Sequence, residues 1–511
     1  MLRGMDSNDT NTEIQRCTRH SNVAMGIRNV LNEVVAVGLC SGCGVCAALC
    51  PVRTLRMGFN AAGEIAPTDG TKCLPRCTIC LDVCPLFDCS ADATAIAHGL
   101  FQDVAGNHHD PVLGYHLGAY VGHVTDEIQR LNGASGGIAS WFLAQLLRSD
   151  LVDRVIAVRA TEAHGKLFEY CVCDSPAAVL RASKSAYYPV ELSDVLRVVI
   201  GNPGRYAVVG LPCFVTGLRL AARRDKRLKE RLRVHVGLVC GQQKSAAFTN
   251  YLVSRMGLDP RQVNKVCFRG KDPARTACEH TVLTASDGVR AASSYGCDGV
   301  HEVFRTGQFK LPACNYCDDV FSELADVVFM DAWLPPYMFD GRGTNIVVTR
   351  SPLAESVLKD GAAQGRLSLA RVAANRVVES QEGRVKDKRE SLSHRLWLDW
   401  RGGRRMARRR VAPAKPGIIE RIALRRMDSI GSASRLAALE ASGGGPKEWL
   451  DASTRYITPE LRRNANFTKA LRIGLKLLQA ARKLRTSLHD IVLKRDFLSP
   501  AGSKANNEHP R

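Results

Sequence analysis

Eight cysteines stand in two runs: Cys40, Cys43, Cys46 and Cys50 followed by Pro51, then Cys73, Cys77, Cys80 and Cys84 followed by Pro85. Short, regular gaps let three successive thiolates wrap one face of a four-iron, four-sulfur cube. The fourth, displaced and followed by proline, turns towards a second cube. A pair of zinc sites is the competing reading, but zinc needs only two CxxC pairs and explains neither the third thiolate of each run nor the two Cys-Pro ends. The chemistry of such residues is one-electron transfer.

The spacing is that of bacterial two-cluster ferredoxins, with one extra residue between Cys73 and Cys77 that makes Cys73 the least regular ligand. The crossover of that pattern assigns Cys40, Cys43, Cys46 and Cys84 to one [4Fe-4S] cluster and Cys73, Cys77, Cys80 and Cys50 to the other. The ferredoxin-type module occupies residues 36–90. It follows a polar leader, residues 1–35, and precedes a connector, residues 91–117, whose adjacent His108 and His109 read as part of a solvated loop rather than a metal site.

Beyond the connector the pattern alternates. Short β-branched runs (119–124, 155–158, 206–209, 234–239, 327–330 and 346–349) are separated by helix-period segments such as 138–147, 214–222 and 246–256. Strands alternating with helices predict an α/β or α+β mixed-sheet domain over residues 118–400. No GxGxxG turn stands at a strand-helix junction, so an ordinary Rossmann cofactor site is not expected.

A chain of 511 residues, 45% hydrophobic, has room for two to four domains with ordinary cores. Residues 1–30 hold no apolar run of signal-peptide length, and no stretch is long and apolar enough to span a bilayer. Ligand-spaced cysteines without a signal point to metal in a reducing compartment, so a cytoplasmic address is expected. The formal charge of +21 is uneven: residues 401–511 carry 25 Lys plus Arg against 9 Asp plus Glu, a net of +16, which leaves +5 for the rest. This basic helical tail opens with six arginines in ten residues and ends in a basic amphipathic segment marked by Phe467, Leu471, Leu475, Leu478, Leu488 and Val492. It suits an acidic partner or an anionic membrane surface, where the protein would be peripheral. A solvated helical appendage is the plainer alternative. Nucleic acid is disfavoured because no aromatics interleave with the charges.

Several phrases of the body carry a family resemblance. They are Ala134-Ser135-Gly136-Gly137, Ser183-Lys184-Ser185 with Tyr187, Tyr188 and Pro189, Gly210-Leu211-Pro212-Cys213, Gly237-Leu238-Val239-Cys240, Phe268-Arg269-Gly270-Lys271 and Cys314-Asn315-Tyr316-Cys317, with Asp331-Ala332-Trp333 after them. Together with the cysteine module they resemble the beta subunits of coenzyme F-420 hydrogenases and dehydrogenases over about residues 38–370. The resemblance implies FAD bound by the α/β body and fed by iron-sulfur clusters. It also implies a ferredoxin or other redox protein on one side and a small two-electron substrate, F-420-like or another organic metabolite, on the other.

Under that resemblance Ser135, Gly136 and Gly137 would offer backbone N–H groups to a phosphate at a helix start. Lys184, Arg269 and Lys271 would neutralise the pyrophosphate or a reduced flavin, and Tyr187 or Tyr188 would stack on its ring. Each has a bland alternative as a turn, a surface cation or a core tyrosine. Cys213, Cys240, Cys314 and Cys317 are expected to gather a third cluster, against structural thiols plus a zinc or redox CxxC. Cys267 and Cys297 stand in reserve. The expected function is an iron-sulfur flavoprotein oxidoreductase. The alternative is an electron-transfer subunit that joins a ferredoxin to a partner enzyme and has no organic substrate of its own.

Overall fold

The computed structural model describes residues 28–87, 92–161, 165–286, 288–403, 409–473, 476 and 479. In the cysteine-rich segment, β1 (Arg56–Phe59) and β2 (Ile65–Thr68) pair antiparallel, and each cysteine run contributes a one-turn helix, Val45–Ala48 and Ile79–Asp82. The first run can wind this tightly because Gly42 and Gly44 take φ values of 72° and 78°, a left-handed conformation that costs other residues about 1–2 kcal/mol. A Cβ at Gly44 would also come within 3.0 Å of the Leu192 amide, so the same residue lets this segment close onto the body. The connector forms a hairpin of β3 (His108–Asp110) and β4 (Gly114–His116).

The body is built on β5 (Gly118–Val124), β6 (Arg154–Ala160), β7 (Phe168–Cys173), β8 (Tyr206–Gly210) and β9 (Leu232–Leu238). A separate antiparallel sheet of β10 (Val263–Gly270), β11 (Thr281–Ser286) and β12 (Val289–Ser294) follows. Then β13 (Val327–Asp331), β14 (Asn345–Thr349) and β15 (Leu367–Arg371) return to the main sheet. The eight-stranded order is β15-β5-β14-β13-β9-β8-β6-β7, parallel from β13 through β9 and β8 to β6 and antiparallel at both flanks. The six strand runs and three helical segments expected from sequence are all present in this mixed α/β body. Within the eight-stranded sheet the two strands the pattern does not reveal, β7 and β15, are the edges, where half-exposed sequences such as LSLAR lose the apolar signal; the separate sheet of β10, β11 and β12 is not foreseen either.

Both faces of the sheet are covered. On one, Trp141, Phe142 and Leu146 of the helix Ile138–Arg148 pack on Val155, Phe329 and Val347. Burying each such side chain is worth about 1.5–3 kcal/mol. On the other, Phe214, Val215 and Leu218 of the helix Pro212–Arg224 lie between the sheet and Val45, Leu81 and Val83 of the cysteine-rich segment. That segment and the body therefore share one continuous core.

The chain after residue 409 also joins the body. The helix Ile418–Glu440 ends before Gly443, whose φ is 75°, and the helix Pro446–Ala452 turns back. Ala437, Ala438, Trp449 and Ile457 are buried against Phe248, Phe268 and Phe309, and Arg435 pairs with Glu64 beside β2 at 3.0 Å. Of the expected amphipathic stripe, Leu475, Leu478, Leu488 and Val492 lie outside the described residues. Among the described residues no helix is long and apolar enough to cross a membrane.

Candidate redox site

The twelve cysteines singled out by sequence fall into three neighbourhoods. Burial pushes the Cys46 thiol well up, and the strongest charges acting on it after that are those of Cys43, Cys40 and Cys84. Burial also raises Cys84, which feels Cys43 and Cys40. Cys80, raised by burial, instead feels Cys73, Cys77 and Cys50. Cys84 thus sits with the first run and Cys50 with the second. In each run the residue before the terminal proline has left its own turn for the other group.

The third neighbourhood draws on three separate parts of the body. Cys213 opens the helix after β8, Cys240 follows the end of β9, and Cys314 and Cys317 lie on and just after the turn Pro312–Tyr316. Burial lifts Cys213 far above the usual thiol range, with Cys317, Cys240, Cys43 and Cys314 adding to the effect. Burial likewise pushes Cys240 up to about 12, opposed by the Lys388 charge. Gln243 ties the group together: its backbone N–H donates to Cys314 Sγ at 3.2 Å, and its Nε2 donates to Cys213 Sγ at 3.4 Å and to the Ser41 carbonyl at 3.3 Å. Lys388, only 3% exposed, donates from Nζ to Cys317 Sγ at 3.1 Å and to the Asp319 carbonyl at 2.6 Å. Although burial opposes its charge, the thiols of Cys317, Cys240 and Cys314 raise its pKa.

Burial disfavours the thiolate, so thiols in such places ionise only against something that supplies positive charge. A cube spreads four sulfurs over four irons, whereas a single ion draws all of them to one point. Among the described residues no group of three or more His, Cys, Asp or Glu stands close enough together to hold a metal ion. Cys267 lies on β10 and Cys297 in an exposed turn after β12.

At the C-terminal end of β13, the strand parallel to β9, a narrow cleft is lined by Ser135, Arg269, Lys271, Asp272, Glu279, His280, Asp331 and Trp333. Carboxyl ends of parallel strands are the usual place for ligand crevices in open sheets. Arg269, 5% exposed, pairs with Asp331 at 2.9 Å and lies 6.0 Å from the Trp333 ring. Lys271 donates to the carbonyls of Arg130 and Arg342, each at 2.7 Å, and to that of Ser135. Burial first, then repulsion from Arg269 and Lys184, pulls Lys271 down to about 7. Lys184 donates to the carbonyls of Leu131 and Arg269 at 3.3 and 3.4 Å.

The remaining predicted contacts are placed differently. Gly136 and Gly137 do not line this cleft: a Cβ at Gly136 would meet the Gly122 carbonyl at 2.7 Å and one at Gly137 would meet Val124 at 2.9 Å, so both seat the following helix on the sheet. The first amide of that helix, Ile138 N–H, is taken by Asn345 Oδ1 at 3.2 Å. Tyr187 stands behind Arg269 with its ring edge-on to Phe268 and Phe304, while Tyr188 packs with Phe59 and Phe168 towards the cysteine-rich segment.

His280 and Trp333 escaped sequence reasoning. His280 carries no spacing signal, and Trp333 was visible only as part of a family phrase. Neither ring nitrogen of the buried His280 has a partner in good hydrogen-bond geometry, nor has Arg269 Nε. A buried imidazole and a guanidinium edge left open at one cleft fit an electron-rich, hydrogen-bond-accepting ligand, as a flavin is.

Residues 119–197 match the family described as the N-terminal part of the coenzyme F420 hydrogenase/dehydrogenase beta subunit, and residues 204–375 match the family described as the C terminus of that same subunit. A coenzyme F420-dependent sulfite reductase of Methanocaldococcus jannaschii is 25% identical over 252 residues, 46% of this chain and 36% of that protein. The match therefore spans about a third of the sulfite reductase. An uncharacterized protein of the same organism is 24% identical over 299 residues, 53% of this chain and 78% of its own length. Among solved structures, a chain of the xenon-derivatised F420-reducing [NiFe] hydrogenase complex from Methanosarcina barkeri aligns with a TM-score of 0.44 at 16% identity, covering 57% of this chain and 96% of that one. With the two halves of the family description matched in order between residues 119 and 375, the chain belongs to the coenzyme F420 hydrogenase/dehydrogenase beta-subunit family.

Proposed function

We propose that the protein is an iron-sulfur flavoprotein oxidoreductase. In this reading residues 36–90 are a two-cluster module held by Cys40, Cys43, Cys46 and Cys84 and by Cys50, Cys73, Cys77 and Cys80. Cys213, Cys240, Cys314 and Cys317 hold a third [4Fe-4S] cluster. Ser135, Arg269, Lys271 and His280 line the FAD site, with Lys184 and Tyr187 behind them. When bound, the clusters would supply single-electron relay and the flavin the exchange between one- and two-electron chemistry.

The chain's own residues supply the environment. Arg269 is desolvated and held in place by its ion pair with Asp331, and would supply a pre-oriented guanidinium to a flavin bound in the cleft. Lys271 knits three carbonyls of the cleft wall together. Gln243 bridges the Ser41 carbonyl, inside the first cysteine run, to Cys213, a short through-bond path between two of the three cysteine groups.

The observation that carries the reading is the gathering of four cysteines from three separate segments at the sheet edge near the cleft that holds Arg269, Lys271 and His280. The two-electron partner, F-420-like or another organic metabolite, is a matter of the cleft's shape. Anaerobic purification with iron, acid-labile sulfide and flavin quantitation tests the reading. About twelve irons and one FAD per chain are expected. About eight irons with FAD removes the third cluster, and a cluster-loaded protein without flavin leaves only an electron carrier.

A further inference from the structure

Between residues 36 and 87 the sequence holds four cations, Arg53, Arg56, Lys72 and Arg76, and three acids, Glu64, Asp69 and Asp82. The fold separates two of the acids from the cations. Glu64 is paired with Arg435 at 3.0 Å and Asp82 with Arg224 at 2.5 Å, both on the side facing the rest of the chain. Asp69 is not separated from the cations: it is exposed, accepts from the Thr71 backbone N–H and hydroxyl at 3.0 and 2.9 Å, and feels the Arg56 charge. All four cations are exposed, and among the described residues none has a carboxylate within ion-pair distance.

Three of these cations lie in the loops of one cysteine group, and Arg56 opens the strand that follows the first loop. Arg53 closes the turn that starts at Cys50, its N–H donating to the Cys50 carbonyl at 3.1 Å. Lys72 and Arg76 flank Cys73 and Cys77, and the Lys72 N–H reaches Thr54 Oγ1 at 3.4 Å, joining the two loops. Leu74, 44% exposed, lies between Lys72 and Arg76 on the same loop. Two of the four occupy costly backbone. Arg53 and Arg76 have φ values of 51° and 61°, and Arg76 fills the third position of the turn Leu74-Pro75-Arg76-Cys77, where a positive φ calls for Gly or Asn. A long charged side chain kept at such positions is an outlier that stability does not explain.

We infer that the face formed by Arg53, Arg56, Lys72 and Arg76 with Leu74 is the docking site of an acidic one-electron carrier protein. The inference rests on the iron-sulfur reading above and adds where the electron enters: at the Cys50, Cys73, Cys77 and Cys80 group, one electron per encounter, with no bond made or broken. A set of unpaired positive charges with an exposed leucine is the complement of an acidic carrier with an apolar centre, and such pairs gain chiefly in association rate.

The test uses the full-length, cluster-loaded chain in stopped flow, with a strongly acidic plant-type [2Fe-2S] ferredoxin, chemically reduced, as probe and reduced methyl viologen as a non-protein donor. At about 10 mM ionic strength, R53Q/R56Q/K72Q/R76Q should lower the ferredoxin rate constant at least about tenfold. Near 1 M salt, where the screening length is about 3 Å, parent and variant should converge. The viologen rate and iron content should not change. R53G/R76G should lose ferredoxin rate while melting no earlier than the parent, because glycine relieves the left-handed backbone; a purely structural role for these arginines predicts the opposite pairing. Ferredoxin rates within twofold of the parent for the quadruple variant, or loss only in K469Q/R472Q near the C-terminal end of the described chain, overturn the proposal. Failure of methyl viologen to reduce the parent overturns the iron-sulfur reading and this inference with it.

Discussion

Lys388→Met removes a buried positive charge from beside the third cysteine group while nearly keeping side-chain volume. Lys388 Nζ is 3.1 Å from Cys317 Sγ, and a unit charge at that distance is worth ~5 kcal/mol at an effective dielectric of 20. The electron that reduces a cluster spreads over the cube, so an effective separation of about twice that distance is apt, and the interaction falls to ~2–3 kcal/mol. At 59 mV per tenfold for a one-electron couple, this corresponds to a midpoint roughly 100 mV more negative in the variant. The assay is a potentiometric titration followed by electron paramagnetic resonance on protein with parental iron content. One of the three cluster signals should move and the other two should stay. Lys388→Arg, which keeps the charge, should restore most of the shift. A midpoint within about 30 mV of the parent in Lys388→Met, with iron retained, would refute the idea that this lysine sets the potential of a neighbouring cluster.

Arg350 is fully buried and donates to the carbonyls of Leu113, Phe321, Ser322 and Ala325 at 3.1–3.4 Å. Arg350→Met should cost at least about 4 kcal/mol, because four buried carbonyls lose a charged donor, read as a lower denaturant midpoint with an unchanged slope. His235 and His280 are pushed by burial to about 4 and about 3. Below their ordinary value of 6.5 the unfolded chain takes up protons that the folded one refuses, so stability is fullest above that pH and falls on acidification. Each histidine should contribute about 1.4 kcal/mol per pH unit between pH 6 and the folded values. Denaturant midpoints of parent and His280→Gln between pH 7.5 and 5 check this, and equal slopes for the two would exclude His280 as a source. Trp449→Ala should cost about 3–5 kcal/mol by emptying a site beside Phe309. A melting temperature unchanged from the parent would mean that the C-terminal segment is not part of the core.

What sequence could convey divides along a physical line. The cysteine runs were legible because ligand spacing is local, and the central strands because fully buried β-branched runs have few other uses. The gathering of Cys213, Cys240, Cys314 and Cys317 was reachable only through a family resemblance, since nothing within 100 residues of sequence fixes which strand ends meet. Lys388 was invisible: it lies in a charged helical stretch, and only the fold turns it inward. Gly136 and Gly137 looked like a phosphate cradle because close helix-sheet packing and close ligand approach demand the same missing side chain. The C-terminal segment looked like a solvated appendage because its contribution to the core is a few alanines and one tryptophan among many arginines.

That last segment has a consequence for manufacture. Arg409 donates to the Tyr316 carbonyl at 2.5 Å, and Arg410 holds Asp318 and Glu323, so this strap lies across the loop that carries Cys317. Pro212, Cys213, Cys317, Arg409 and Arg410 line one cavity. A ribosome delivers these arginines after every cysteine of the third group, and the helix Ile418–Glu440 that latches onto Glu64 comes later still. The vestibule beside Cys213 and Cys317 therefore lacks this part of its wall until Arg409 and Arg410 follow the four cysteines out of the ribosome. An inserted cluster would be covered on that side by residues that emerge after all four of its ligands.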